Sequence, residues 1–374
     1  MVLADSADRG RVTTPVPAAE LDGGDMDCGS GLLLTITSAM RRIDQGEVLL
    51  LHTREPSVLA DLPAWARLAG HELLGVDPDG APGPWRLSIR RGTPSAPAPA
   101  SPSPAESAFT QGSAAPVGSR LWLYSNFHCN LSCSYCCAES APQASPRMMP
   151  VELAAAAARE FAGLGGRELL VTGGEPFLHP QLGELLGAAS SSLPVTVLTN
   201  AMVFGKGARR QTLESLDREA VTLQVSLDSA GPDLHDRQRG DGAHARAMAG
   251  IRLATQLGFR VRVAATLYPQ DAGSADELHA ALDTLDIDGT DRLIRPVAED
   301  GFADTGVHIS LDTVEPEPTL TVDGAWWHPV AVTNPQLRVS HDPLPLAHVL
   351  DVVRDVLAVQ AAGSAEGRTV FRCT

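Results

Sequence analysis

"FHCNLSCSYCC", residues 127 to 137, gathers four of the chain's six cysteines. Three of them, Cys129, Cys133 and Cys136, are separated by three and then two residues. Three thiolates in so short a loop can hold three irons of a cubane, whereas a structural zinc site or a fully protein-ligated cluster needs a fourth ligand. The remaining iron is then an open coordination position, able to chelate a small molecule through an amine and a carboxylate. A zinc site completed by His128 or Cys137 is the rival reading of the same stretch. Cys137 is otherwise expected to be a passive neighbour, because adjacent residues seldom direct both side chains at one small cluster.

Such a loop needs a frame. Short apolar strands are predicted at 121 to 126, 168 to 174, 195 to 200, 221 to 228, 260 to 268 and 292 to 298, with helical stretches between them. One of these, "PVELAAAAAREFAGLG", opens with Pro150 and closes on glycines, as a helix should. Strands separated by helices imply parallel βα units. The expected fold class is therefore α/β, a partial (βα)6 TIM-like barrel over residues 120–300, with its chemistry where the C-terminal ends of the strands meet the loops.

Ahead of the barrel, Pro, Ala and Ser dominate residues 93–119, which reads as an extended tether. Residues 20–92 read as a βαβαββ module, a small two-layer sandwich with helices on one face of a sheet. Residues 1–19 are expected to be disordered, and 301–374 to form a separate C-terminal region. A formal net charge of -16 argues against tracking a phosphate backbone, so nucleic acid is not an expected partner. No apolar run approaches the roughly 20 residues that cross a bilayer, and the start lacks a secretory pattern. The expected location is the cytoplasm, where thiols stay reduced and clustered cysteines serve metals or catalysis.

The cysteine spacing, with the aromatic Tyr135 just before the last ligand, resembles the signature of the radical S-adenosylmethionine (SAM) enzymes. Three further motifs carry the resemblance in order along the chain: Gly173, Gly174, Glu175 and Pro176 in "TGGEP", Thr199 and Asn200 in "LTN", and Ser226 and Asp228 in "VSLDS". The resemblance implies one 4Fe–4S cluster on Cys129, Cys133 and Cys136, with SAM as second cofactor. It also implies reductive cleavage to a 5′-deoxyadenosyl radical that abstracts hydrogen from a small metabolite or a peptide, and an electron donor such as flavodoxin or ferredoxin. Glycines allow close backbone approach. Glu175 can accept hydrogen bonds from the SAM ammonium, and Ser226 with Thr199 or Asn200 can bond ribose hydroxyls or the methionine carboxylate. Taken singly, "VSLDS" is ordinary turn chemistry. Arg239 is either a partner for the SAM carboxylate or a solvated loop arginine.

The βαβαββ module resembles the TusA/SirA-like sulfur carriers, which place one cysteine before the first helix in a Cys-Pro-x-Pro sequence. Cys28 occupies that place, followed here by Gly29-Ser30-Gly31 in place of both prolines. A helix N-terminus stabilises a thiolate or persulfide. The resemblance implies sulfur received on Cys28, for instance from a cysteine desulfurase, and used for C–S bond formation. A docking or substrate-recognition module and an inert thiol are the alternatives. The stretch with Trp326, Trp327 and His328 resembles the SPASM/twitch extensions, which bind an auxiliary cluster through several cysteines; Cys373 alone cannot hold one, so a single cluster is expected. The two tryptophans either line a substrate pocket or cover a core edge. A ribosomal-peptide maturase, and a non-catalytic metal-bound sulfur-delivery scaffold, are the competing readings of the whole chain.

Overall fold

A computed structural model describes residues 16–27, 31–78, 84–92 and 118–363. Cys28, Cys373, most of the 93–119 tether and most of the N-terminal stretch lie outside the described residues. The chain divides into two compact units.

The first unit carries β1 (Ala19–Gly24), β2 (Val48–Thr53), α2 (Val58–Leu68), β3 (Glu72–Pro78) and β4 (Trp85–Arg90), with α1 (Leu32–Arg41) between β1 and β2 in the chain. The order is βαβαββ. Its sheet runs β1-β2-β4-β3, with β1 parallel to β2 and both β4 pairings antiparallel. β2 and β4 are central because their apolar residues are inaccessible: Leu49, Leu51, Leu87 and Ile89 are fully buried. In α2, Val58, Leu62, Trp65 and Ala66 recur at helical spacing and are buried together.

In the second unit, β5 (Arg120–Tyr124), β6 (Glu168–Thr172), β7 (Val195–Thr199), β8 (Val221–Ser226), β9 (Val261–Leu267) and β10 (Arg292–Pro296) pair in chain order, all parallel. The crossovers contain α3 (Val151–Gly163), α4 (Leu182–Ser190), α5 (Ala208–Ser215), α6 (Pro232–Arg239), α7 (Ala243–Gln256) and α8 (Ala275–Asp283). Strands buried on both faces need near-continuous apolar sequence, which these have. α3 shows how a helix covers them: Ala154, Ala157, Ala158 and Phe161 form one buried stripe.

The mixed α/β unit with its parallel sheet extends further than a six-stranded barrel. After the short pair β11 (Ala298–Glu299) and β12 (Val307–His308), β13 (Thr319–Thr321) lies parallel beside β5. β14 (Gly324–Trp326) and β15 (Arg338–Ser340) follow antiparallel, making a nine-stranded sheet, and α9 (Leu346–Gly363) ends the described chain. The C-terminal hairpin thus belongs to the same sheet as the barrel strands. Among the described residues, no helix is long and apolar enough to cross a membrane.

Strands β5, β6 and β8 stop two residues short of the sequence expectation. The residues released from the ladder hydrogen-bond outside it: Asn126 pairs with Gly174 and Glu175, and the Asp228 carboxylate accepts from Thr266 N–H of β9. Those are the residues from which the site is built.

Candidate active site

The cysteine loop leaves the end of β5 and is tied down at several points. Glu175 N–H donates to the His128 carbonyl at 2.9 Å, Ser134 N–H to the Gln238 carbonyl at 3.0 Å, and Phe302 N–H to the Cys136 carbonyl at 3.1 Å. Within the loop, Leu131 N–H points at Cys129 Sγ (3.4 Å) and Ser140 N–H at Cys136 Sγ (3.3 Å). Donors aimed at sulfur favour its charged form, which a metal ligand must adopt. Burial works against that charge, pushing the Cys133 thiol up to about 11 and the Cys129 thiol higher still. A bound cation reverses this balance.

Gly173 and Gly174 are required by the cysteine loop itself. A Cβ on Gly174 would stand 2.2 Å from the His128 carbonyl oxygen, and one on Gly173 2.6 Å from that of Asn126. Asn126 completes the seam: its Nδ2 donates to the Glu175 carbonyl (3.0 Å), and its backbone carbonyl accepts from Gly174 N–H (3.0 Å). Gly174→Ala is therefore expected to push the two loops apart, lowering stability by about 1–3 kcal/mol, the usual range for overpacking. Thermal denaturation and iron content after reconstitution both read that displacement.

Glu175 is fully buried. Its carboxylate accepts from Phe177 N–H at 3.1 Å, Thr199 Oγ1 at 2.8 Å and Asn200 N–H at 2.8 Å. An ionised carboxylate offers about four acceptor positions, so one remains for a further donor. Burial pushes the carboxyl up to about 6, and the three donors limit the rise. Pro176 follows as the first residue of the short helix Pro176–Leu178, where its fixed φ suits the turn.

Asp228 and Arg239 form a buried pair: Nε donates to Oδ2 at 2.6 Å and Nη2 to Oδ1 at 3.1 Å. Tyr135 Oη donates to Asp228 Oδ2 at 2.6 Å, and Thr266 N–H to Oδ1 at 3.1 Å. Burial alone would raise the Asp228 carboxyl, but the Arg239 guanidinium outweighs it and holds the group below the usual carboxylate range. His235 accepts from Asp228 N–H at 3.1 Å, and burial pushes its imidazole down to about 4, so it stays neutral and keeps that acceptor. Arg239 is thus no solvated loop residue. It is the last residue of α6, aimed inward by a carboxylate at the end of β8.

These elements surround one open cleft of about 160 Å3. Cys129, Cys133, Tyr135, Cys136, Gly173, Gly174, Thr199, Asn200 and Ser226 line it, together with Cys137 and Arg239. Glu175, Pro176 and Asp228 stand behind the lining, buried. Among the described residues, no three His, Cys, Asp or Glu side chains converge to hold a single ion. Cys129, Cys133 and Cys136 all line the cleft, and three thiol donors are the set that a cubane with one open iron takes. Trp326 and Trp327 do not line the cleft. Trp326 packs with Tyr124, Phe127, Ala138 and Val332 against Cys136, while Trp327 sits in the main core, so both cover core edges.

Sequence reasoning missed Asn126, His235, Thr266 and Arg295. The last two are lining residues near the ends of β9 and β10. The signal was available: inward-facing residues near the C-terminal end of every barrel strand are candidates, whether or not a motif marks them.

Residues 124–282 match the family described as the Radical SAM superfamily. The antilisterial bacteriocin subtilosin biosynthesis protein AlbA of Bacillus subtilis is 33% identical over 105 residues, which cover 27% of this chain and 22% of that protein. A GTP 3',8-cyclase of Microcystis aeruginosa is 31% identical over 114 residues, covering 29% of this chain and 33% of the enzyme. The chain thus matches only 22% and 33% of the lengths of these two relatives. Among solved structures, Streptococcus suis SuiB bound to S-adenosylmethionine has 20% sequence identity and a TM-score of 0.44, covering 52% of this chain and 45% of that one. Residues 124–282, less than half of the chain, thus match the Radical SAM superfamily, and that match implies a 4Fe–4S cluster and SAM.

Proposed function

We propose that Cys129, Cys133 and Cys136 hold the cluster, and that SAM lies along Gly173, Gly174, Thr199, Asn200 and Ser226, for hydrogen abstraction from a small metabolite or a peptide. The observation that carries this reading is that all three cysteines line the same cleft as those five residues. When bound, the cluster and SAM supply one electron and a 5′-deoxyadenosyl radical, which is chemistry beyond any side chain. The chain's own residues bind, orient and exclude water. Glu175 has one acceptor position left for the SAM amino group. Arg239, aimed by Asp228, faces the SAM carboxylate, and Tyr135 supports that guanidinium with its ring 5.4 Å away. The satellite cluster around Phe127 and Trp326 keeps water from the back of the cysteine loop.

The test is anaerobic reconstitution with iron and sulfide, followed by SAM and dithionite, with an external donor such as flavodoxin or ferredoxin as a second arm. Release of 5′-deoxyadenosine is expected. Zinc without iron, or no deoxyadenosine, would favour the metal-bound scaffold.

The Glu175 assignment has a pH signature. A carboxyl raised to about 6 binds its proton more tightly in the folded chain, so its stabilising contribution is full at low pH and is lost as pH rises through about 6. Ligand binding runs the other way, since protonation of the carboxyl takes away the acceptor position that the SAM amino group would use. SAM affinity is expected to fall about tenfold between pH 7 and pH 5, and Glu175→Gln to be weaker and nearly flat over that range. A parent profile without a step near 6 would remove Glu175 from SAM recognition.

The reading extends to sulfur insertion through Cys28, supported by the βαβαββ order of the first unit and by the cysteine's place before α1 in the chain. A cysteine desulfurase would then be a partner. Full turnover by Cys28→Ala without a sulfur donor would remove sulfur from the reaction. A second reading, modification of a ribosomal peptide with the first unit used for recognition, is favoured by the match to a bacteriocin biosynthesis protein.

A further inference from the structure

We infer that the segment after β10 is a positioning clamp for the third cluster ligand, with Thr333 as its anchor; this rests on the radical SAM reading of the cysteine loop and adds the device that fixes Cys136 within it. The three thiols are held from different sides. Cys129 has Leu131 N–H on its sulfur, from within the loop, and the Gln238 carbonyl of α6 takes the N–H of Ser134, the residue after Cys133. Cys136 is gripped by residues that follow the barrel: its carbonyl accepts from Phe302 N–H at 3.1 Å, and its side chain packs against the satellite core that contains Trp326 and Val332.

Two turns build the grip. Between β11 and β12, Asp300 Oδ1 accepts from Gly301 N–H at 2.8 Å. Gly301 holds a φ of +63° and lies so close to the cysteine loop that a Cβ would stand 2.4 Å from the Cys136 carbonyl oxygen and 2.7 Å from that of Cys137. Glycine takes that φ and that approach together without strain, and so lets Phe302 N–H reach Cys136. Between β14 and β15, Thr333 Oγ1 stands 2.8 Å from Asp300 Oδ1 and 3.0 Å from the Cys137 carbonyl. A hydroxyl has one proton, so Thr333 shares it between the two acceptors and ties the second turn to the first and to the cysteine loop. Its bond is to the backbone of Cys137, so it serves the loop whatever side chain stands there. Partners that orient a ligand are typically worth about 10- to 100-fold in metal affinity, and Thr333 acts in this way on Cys136 without touching its sulfur.

The experiment compares the full chain with Thr333→Val, which keeps the shape and removes the hydroxyl, and with Thr333→Ser, which keeps the hydroxyl. After anaerobic reconstitution, iron loss to excess EDTA is expected to be about tenfold faster in Thr333→Val and close to the parent's rate in Thr333→Ser. In the metal-free chains, iodoacetamide labelling read by peptide mass spectrometry is expected to be faster at Cys136 and Cys137 in Thr333→Val, with Cys129 at the parent's rate. A general loss of stability would raise labelling at all three, and that result overturns the clamp. It is also overturned if Thr333→Val loses iron as slowly as the parent, or if Thr333→Ser behaves as the valine variant does. Should Thr333→Val fail to fold, Asp300→Ala, which removes the carboxylate shared by both turns, is read by the same two measurements and the same outcomes. A parent that takes up no iron would sink the radical SAM reading, and labelling of Cys136 against Cys129 would still decide the clamp.

Discussion

Cys133→Ala, reconstituted anaerobically beside the parent, is expected to retain less than about a tenth of the parent's iron and to release no detectable 5′-deoxyadenosine from SAM and dithionite. Cys129→Ala and Cys136→Ala should behave alike, because each thiolate would hold a different iron and none can substitute for another. Cys137→Ala is the control. Its thiol also lines the cleft, but burial pushes it up to about 12 and its side chain packs against the core, so its loss should leave iron content close to the parent's. Equal iron loss in all four variants would make Cys137 a ligand and restore the closed four-ligand site. Iron content and the visible absorbance of the cluster decide the matter without a substrate.

The second large effect belongs to Asp228. Its side chain has no exposed surface and serves four donors: two from Arg239, one from Tyr135 and the Thr266 N–H. Asp228→Ala leaves a buried guanidinium without its counter-charge, a change that typically costs about 3–5 kcal/mol. For a unit of this size, that corresponds to a melting temperature lower by roughly 10 °C. Adding Arg239→Met removes the stranded charge and should recover at least half of the loss, as a double-mutant cycle would show. The pair also predicts an acid limit. A carboxyl held below its ordinary value contributes stability above that value and loses it as pH falls through the folded one. A single-variant loss under about 1 kcal/mol would mean that water already solvates the pair.

Asp228 also shows where reading from sequence stops. "VSLDS" marks a strand end, and the residue type suggests contact with a ligand. Only the fold reveals that the carboxylate turns toward Arg239, eleven residues later, and leaves Ser226 to line the cleft. The glycines of "TGGEP" are a similar case. Their identity calls for a close approach, but the partner at 2.2 Å is the carbonyl of His128, forty-six residues earlier in the chain.

The parallel strands, the order of motifs at their ends and the spacing of the three thiols were legible in the residues alone, because apolar periodicity and short-range spacing are local properties. Tertiary structure alone decided that β13 would pair beside β5, that Glu175 would be spoken for by Thr199 and Asn200, and that Arg295 would meet Thr266 across two strands. Those outcomes depend on contacts between segments far apart in the chain, whose choice rests on summed packing and hydrogen bonding that no single stretch of residues encodes.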